Sequence, residues 1–469
     1  MEKTKENKGL NISTKSFITA IAVIFALMLL TYILTFVIPG GEYARMTDAN
    51  GNTVIDTESG FKLIEGGIPF WKWILSPFLV LSAEGSGTII AVIAFLLIIG
   101  GVFNSLEKCG LMKYMLRKLV SRFGKARYKL MAVLAFFFMA MGAFIGSFEE
   151  CVPLVPLVVA LSVSLGWDAL TGLAMSLLAV GCGFASGVCN PFTVGVAQGL
   201  AGLPMFSGVW LRALSFVLIY TLLLLFIRAH AKKVEKPVVT ADVGDGFSAD
   251  KRMDSGLRCF AGILGTGLLL VLCSGFISAL QDYTMIIVAV MFLVAGIVST
   301  LVSGMKTKYL LVTFKDGVIS ILPAVAMILM ASSIKYTMEQ AHILDTILNS
   351  AVSLAGTMPK WAVILFIYLI VLIMNFFIAS GSAKAFMLIP LIGPLAQIFD
   401  IPAQLCIVAF AFGDGFSNVF YPTNPVLLIS TGLADVSYVQ WAKWSWKFQL
   451  SNLVLTSLVL LFGLAVGYC

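Results

Sequence analysis

Uncharged stretches of twenty or so residues recur from one end of this chain to the other, and that recurrence limits the possible folds more than any short motif does. A helix needs about 20 apolar residues to cross the hydrocarbon core of a bilayer. Phe17 to Ile38 and Gly85 to Leu106 meet that length, and further spans are predicted near 213–227, 259–280, 284–304, 317–334 and 449–468. Only 12% of the 469 residues are charged while 59% are hydrophobic, against roughly a quarter charged in soluble domains. A soluble enzyme, a nucleic-acid binder and a disordered scaffold are therefore excluded, and the bilayer is the expected surrounding. The net charge of +7 is then a matter of loop placement rather than a nucleic-acid footprint. Two histidines, His230 and His342, and eight cysteines without a C-x-x-C spacing leave no metal or cofactor site to expect. His342 reads as a surface residue. The cysteines read as buried thiols, and chemistry must come from carboxylates, amides and backbone.

Four lysines precede the first span, which places the N-terminus inside. Residues 42–68 are polar and rich in turn formers, an external loop, and Phe70-Trp71-Lys72-Trp73 has the aromatic character of an interface segment. From Leu130 the pattern changes. Two arms too short to span comfortably, Leu130–Phe148 and Cys151–Trp167, flank Gly146-Ser147-Phe148-Glu149-Glu150, as in a re-entrant hairpin. The uncharged run Ala169–Leu211 has 43 residues, too many for one span, and carries Gly181-Cys182-Gly183 and Gly187-Val188-Cys189-Asn190-Pro191, the composition of a broken helix. After a polar linker near 229–257 the same pattern returns: arms Trp361–Ala379 and Phe386–Phe399 around Ser380-Gly381-Ser382-Ala383-Lys384, then interruptions at Gly413-Asp414-Gly415 and Tyr421-Pro422-Thr423-Asn424-Pro425. The segments assigned inside hold 24 of the 31 Lys and Arg, the positive-inside asymmetry, and the C-terminus falls outside.

One offset of 234 residues places Pro156 on Pro390, Gly181 on Gly415, Asn190 on Asn424 and Pro191 on Pro425. An extra span makes the second copy start outside where the first starts inside, so the expected fold is an all-α polytopic membrane protein of two inverted repeats. Each repeat has a re-entrant hairpin and a broken helix. The expected organisation is a cytoplasmic stretch 1–16, scaffold helices 17–107 and 258–336, an external amphipathic stretch 337–358, and transport segments 130–228 and 359–469.

Ionisable groups inside a membrane cost about 2.5 to 3.5 kcal/mol each on insertion scales, so Glu149, Glu150, Lys384 and Asp414 need partners or a purpose. Glu150 and Lys384 are equivalent under the offset and could form one ion pair between the two tips. Glu149 and Asp414 would then remain uncompensated and would welcome a cation or a proton. The paired Asn-Pro breaks offer amides and freed carbonyls, so Asn190, Thr193, Thr423 and Asn424 are binding candidates. Ser380, Gly381 and Ser382 present backbone donors at a helix start suited to a carboxylate.

The tip Gly146–Glu150, the break Cys189-Asn190-Pro191-Phe192-Thr193 and the break Phe420–Pro425 resemble those of the YfcC-type basic amino acid antiporters. That group sits within the C4-dicarboxylate anaerobic carrier family of the ion transporter superfamily. The resemblance implies an elevator-type secondary carrier of the bacterial inner membrane, usually a homodimer, in which a scaffold holds a moving transport domain. It also implies a cationic amino acid such as arginine or ornithine as substrate, with H⁺ or Na⁺ as possible coupling ions. A carrier of C4-dicarboxylates coupled to Na⁺ or H⁺ is the alternative, with Lys384 binding the anion; an intramembrane enzyme is a remote third, and no nucleic acid is expected as partner.

Overall fold

The computed structural model describes residues 14–468 except 48–52, 56–59, 84–85, 124–125, 147, 205, 238–249, 275–283 and 356–357. Among the described residues, eight helices are long and apolar enough to cross a membrane, and the chain is a multi-pass membrane protein. The first group of elements comprises α1 (Thr14–Val37), strands β1 (Gly41–Tyr43), β2 (Arg45–Thr47), β3 (Thr53–Ile55) and β4 (Phe61–Leu63), then α2 (Phe70–Leu79), α3 (Ser86–Cys109) and α4 (Leu111–Phe123). Next come α5 (Arg127–Ala140), α6 (Val155–Ser164), α7 (Ala169–Leu173), α8 (Ala179–Ser186), α9 (Val196–Leu200) and α10 (Val209–Val234). The second half contains α11 (Lys251–Ser274), α12 (Thr284–Val302), α13 (Thr307–Gln340), α14 (Leu344–Ala355), α15 (Lys360–Phe377), α16 (Gly381–Ile398), α17 (Ala403–Gly415), α18 (Pro425–Leu433) and α19 (Tyr438–Ala465).

Three features differ from the sequence reading. The polar stretch after α1 is not simply a loop: β1 pairs with β4 and β2 with β3, both antiparallel. These ribbons are fastened to α14 through Asp345, which accepts from the Tyr43 amide at 3.0 Å and pairs with Arg45 at 3.0 Å. The basic strip after α3 folds largely into α4, whose Lys118 meets Asp254 of α11 at 2.5 Å. The linker between halves is also shorter than expected, because α10 runs to Val234 and α11 begins at Lys251.

Glycine sets how closely the helices approach. Gly181-Cys182-Gly183 is not a break but lies inside α8, where a Cβ on Gly183 would fall 1.8 Å from the Met139 carbonyl oxygen of α5. A Cβ on Gly415 would lie 2.1 Å from Ala185 Cα, and one on Gly181 2.5 Å from Val419. Helices α8 and α17 therefore cross backbone against backbone. A second close crossing joins α3 to α13, where a Cβ on Gly317 would meet the Gly100 carbonyl oxygen at 2.2 Å.

At the other end of α7, Asp168 caps the helix by accepting from the Thr171 amide at 2.9 Å, and its second oxygen meets His230 Nε2 of α10 at 2.9 Å. The Trp444 indole of α19 donates to His230 Nδ1 at 3.0 Å. Burial pushes the Asp168 carboxyl up, but hydrogen bonds from His230 and Thr171 outweigh it and hold the group below the usual aspartate value.

Two predictions follow from this packing. Gly183→Ala and Gly415→Ala should each destabilise the protein by about 1 to 3 kcal/mol or more by overpacking. Gly393→Ala, in α16 with no atom within 4 Å of its would-be Cβ, should be neutral or slightly stabilising; melting of the three purified variants checks the contrast. For Asp168 the depressed native value means that its contribution is present above the unfolded value near 3.8 and lost as pH falls through the lower native one. Wild type should thus lose stability relative to Asp168→Asn only below about pH 4, as measured by unfolding across pH.

Candidate functional site

Where a helix stops inside the molecule, its terminal amides and carbonyls need partners that water would otherwise supply. Helix α8 ends at Gly187, which turns the chain through a left-handed φ of 51°. The next helical segment begins at Pro191, whose missing N–H costs nothing at that position. Asn190 caps it, its Oδ1 accepting from the Phe192 and Thr193 amides at 3.0 and 3.3 Å. The first turn is a π turn, Pro191–Gly195, a form often found at functional sites. In the second half Asn424 repeats the arrangement: Pro425 opens α18 and Asn424 Oδ1 accepts from the Val426 amide at 2.9 Å.

The two hairpin tips close on these breaks. Helix α5 ends in a π turn, Met141–Ile145, and Gly146 at φ 77° reverses the chain into a short 3₁₀ segment, Glu149–Leu154. A Cβ on Gly146 would sit 2.3 Å from Asn190 Oδ1, and the Cys189 amide donates to the Ala143 carbonyl at 3.0 Å. The first tip is thus seated on the first break. On the other side, Ser380 caps α16, its hydroxyl accepting from the Ala383 amide at 3.4 Å. A Cβ on Gly381 would lie 2.6 Å from Thr193 Cγ2 and 2.7 Å from Asp414 Oδ2. Gly381 therefore brings the second tip against both the first break and α17.

At this junction Lys384 and Asp414, each with 0% side-chain exposure, form an ion pair of 2.6 Å. Among the described residues the carboxylate closing on Lys384 is Asp414 of the neighbouring helix; the Glu150 side chain, the partner expected from the offset, lies outside the described residues. The ammonium also donates to the Asn375 Oδ1 and, at 2.7 Å, to the Ile378 carbonyl left open at the end of α15. Two hydrogen bonds and the ion pair thus surround the ammonium, whose charge Asp414 already answers. Asn375 in turn donates to the Asp414 carbonyl at 3.0 Å, Ser417 Oγ at 2.6 Å and Asn418 Oδ1 at 3.0 Å, and Asn424 Nδ2 donates to Asn418 Oδ1 at 2.9 Å. One polar chain therefore runs from Lys384 to the second break.

Glu149 lies within electrostatic reach of Asp414, and among the described residues no cation forms an ion pair with it. Buried polar atoms without partners cluster at the breaks: Asn190 Nδ2, Thr193 Oγ1 and Thr423 Oγ1. Ser380 is exposed and Ser382 half-buried, 3.4 Å apart between hydroxyls.

Residues 17–465 match the C4-dicarboxylate anaerobic carrier family, DcuC. The chain belongs to that family. It is a multi-pass membrane transporter, 28% identical over 96% of both chains to YfcC of Escherichia coli K12, named as a candidate basic amino acid antiporter. It is also 22% identical, over 94% of its own length and 95% of the other, to an uncharacterised Haemophilus influenzae protein. Among solved structures it is similar to the Alcanivorax borkumensis YdaH transporter, with a TM-score of 0.45 and 19% identity over 97% of this chain and 99% of that one.

Three contributors escaped the sequence reading. Asn375 sits in a helical arm and Asn418 in the 3₁₀ segment after α17, where a lone amide looks like any other polar residue of a membrane segment. Arg212, one of the seven Lys and Arg outside the segments assigned inside, is fully buried. The signal for it was available: it is the first charge after the 43-residue uncharged run.

Removing either partner of the buried pair strands a charge, which costs about 3 to 5 kcal/mol. Lys384→Met and Asp414→Asn should each destabilise the carrier by that amount, and the double variant should recover much of the loss. A double-mutant cycle on unfolding free energy measures the coupling; additive losses would mean that the two groups do not interact.

Proposed function

We propose that this carrier is an elevator-type antiporter of a basic amino acid such as arginine or ornithine, in the bacterial inner membrane with its N-terminus cytoplasmic and its C-terminus outside. The observation that carries the reading is the charge at the junction of breaks and tips. Lys384 and Asp414 neutralise each other, which leaves Glu149 as a carboxylate without a cation in a largely apolar surrounding. An arriving guanidinium or ammonium group supplies the missing charge, and a proton or Na⁺ can do so in its absence.

The inverted repeat is supported by a reciprocal contact. Gly181 faces Val419 and Ala185 faces Gly415, and under the offset of 234 Gly181 becomes Gly415 while Ala185 becomes Val419. Each residue thus meets the counterpart of the other, as on two sides of a two-fold axis. An elevator is supported by where the contacts lie. The hairpins and breaks seal on one another, while α3 packs against α12 and α13, and α11 against α12. In this reading residues 17–107 and 258–336 are the fixed scaffold and the homodimer contact, and 130–228 and 359–469 are the moving body.

Within the family a dicarboxylate is the competing cargo. Labelled arginine counterflow in proteoliposomes, challenged with lysine-like cations and with succinate, separates the two: competition by the cations alone is expected, and competition by succinate alone rejects the cationic reading. Glu149→Gln should weaken binding of the cation about tenfold or more, near 1.4 kcal/mol, with membrane insertion intact. Unchanged affinity would remove Glu149 from the site.

A further inference from the structure

We propose that the first break, together with Arg212, forms an anion-binding pole that takes the α-carboxylate of the transported amino acid. This rests on the reading above that the cargo is an amino acid, and it assigns the end of the cargo opposite to the one facing Glu149. A zwitterionic substrate with a cationic side chain brings a carboxylate into the same low-dielectric site, where that charge also needs a partner. Lys384 is the obvious candidate by position, yet its charge is already answered by Asp414 and it donates to Asn375 and Ile378.

Arg212 has the capacity that Lys384 lacks. It stands in the first turn of α10 with 0% exposure, and its guanidinium reaches back to the unwound segment. Nε donates to the Val188 carbonyl at 3.2 Å and Nη2 to the Phe206 carbonyl at 3.2 Å. The third nitrogen, Nη1, is buried without a hydrogen-bond partner, and among the described residues no carboxylate pairs with the charge. The Tyr468 hydroxyl, which donates to the Gly208 carbonyl, lies within hydrogen-bonding reach of the guanidinium. Two residues beyond Val188, Asn190 Nδ2 is likewise fully buried and unpartnered, although the Oδ1 of the same amide is committed to the cap. The first break and the start of α10 thus hold two buried donor atoms without a hydrogen-bond partner, Asn190 Nδ2 and Arg212 Nη1, the second on a charged group. A planar guanidinium matches a carboxylate geometrically and keeps its charge at any working pH. An anion is the ligand that completes this set.

The competing explanation is that Arg212 only pins the loop between α9 and α10 through Phe206. The two roles separate with a pair of probes, L-arginine and agmatine, which share the guanidinium and differ by the carboxylate. Binding is read by thermal shift and by counterflow. Wild type should prefer arginine over agmatine about tenfold or more. Arg212→Met should bring the two to near equality, largely by losing arginine, and Arg212→Lys, the variant to use if the Met protein does not fold, should retain only part of the preference. A ratio unchanged in both variants, with both probes weakened alike, overturns the proposal in favour of loop pinning. Should wild type respond to neither probe, the basic amino acid reading fails by itself. Succinate then decides: stabilisation of wild type that is lost in the Arg212 variants upholds the anion pole, and its absence, or its persistence in the variants, overturns it.

Discussion

Helices that end inside a membrane protein must find partners for their last carbonyls and first amides within the chain, and both halves of this carrier are organised around that requirement. Asn190 and Asn424 meet it in the same way, each folding its side-chain oxygen onto the amides of the segment it starts, with a proline beside it that has no amide to satisfy. The first cap sits where the hairpin tips arrive. Gly146 reverses the chain against Asn190, and Gly381 fits between Thr193 and Asp414. The breaks and the tips are therefore one structure: were a tip to move alone, it would uncover backbone that nothing else satisfies.

The charges follow from the same constraint. A lysine inside a bilayer is tolerable when its charge is answered, and Lys384 pairs with a carboxylate while donating to an amide oxygen and to the open carbonyl at the end of α15. Such a pair adds little net stability, since desolvating two ions cancels most of their attraction. What it supplies is position. It holds the start of α16 to the end of α17 and passes through Asn375 to Ser417, Asn418 and Asn424. The charges outside this pair, on Glu149 and Arg212, have no opposite partner of their own among the described residues, which is why the functional reading falls on them.

Much of this was legible in the sequence because membrane insertion is strict. A 43-residue uncharged run can be neither one span nor an exposed loop, so a break was required, and Asn-Pro marks its place in both halves. Gly181-Cys182-Gly183 misled for a physical reason. Glycine serves equally to break a helix and to let another backbone approach, and composition cannot distinguish the two uses; here the approach of Met139 decides. The contact of Lys384 with Asp414 was not legible because an offset finds residues that are equivalent, not residues that touch, and touching is set by how α16 leans on α17. Likewise the ribbons after α1 depend on contacts with α14 some 300 residues away in sequence, beyond any local pattern.

The close glycine crossings give the proposed motion its mechanical basis. Gly415 of α17 meets Ala185 of α8, and Gly181 of α8 meets Val419 just beyond α17, so the two broken helices cannot slide along each other without driving a backbone into a side chain. Hairpin arm α5 is fixed to α8 at Gly183 in the same manner, and the second hairpin is held by the polar chain from Lys384. A body locked in this way does not open by bending at its centre. Under the proposed elevator the whole of it travels with both hairpins, and the surfaces that would have to yield are those toward α3, α12 and α13. An elevator demands this division between a rigid carrier of the site and a looser boundary around it.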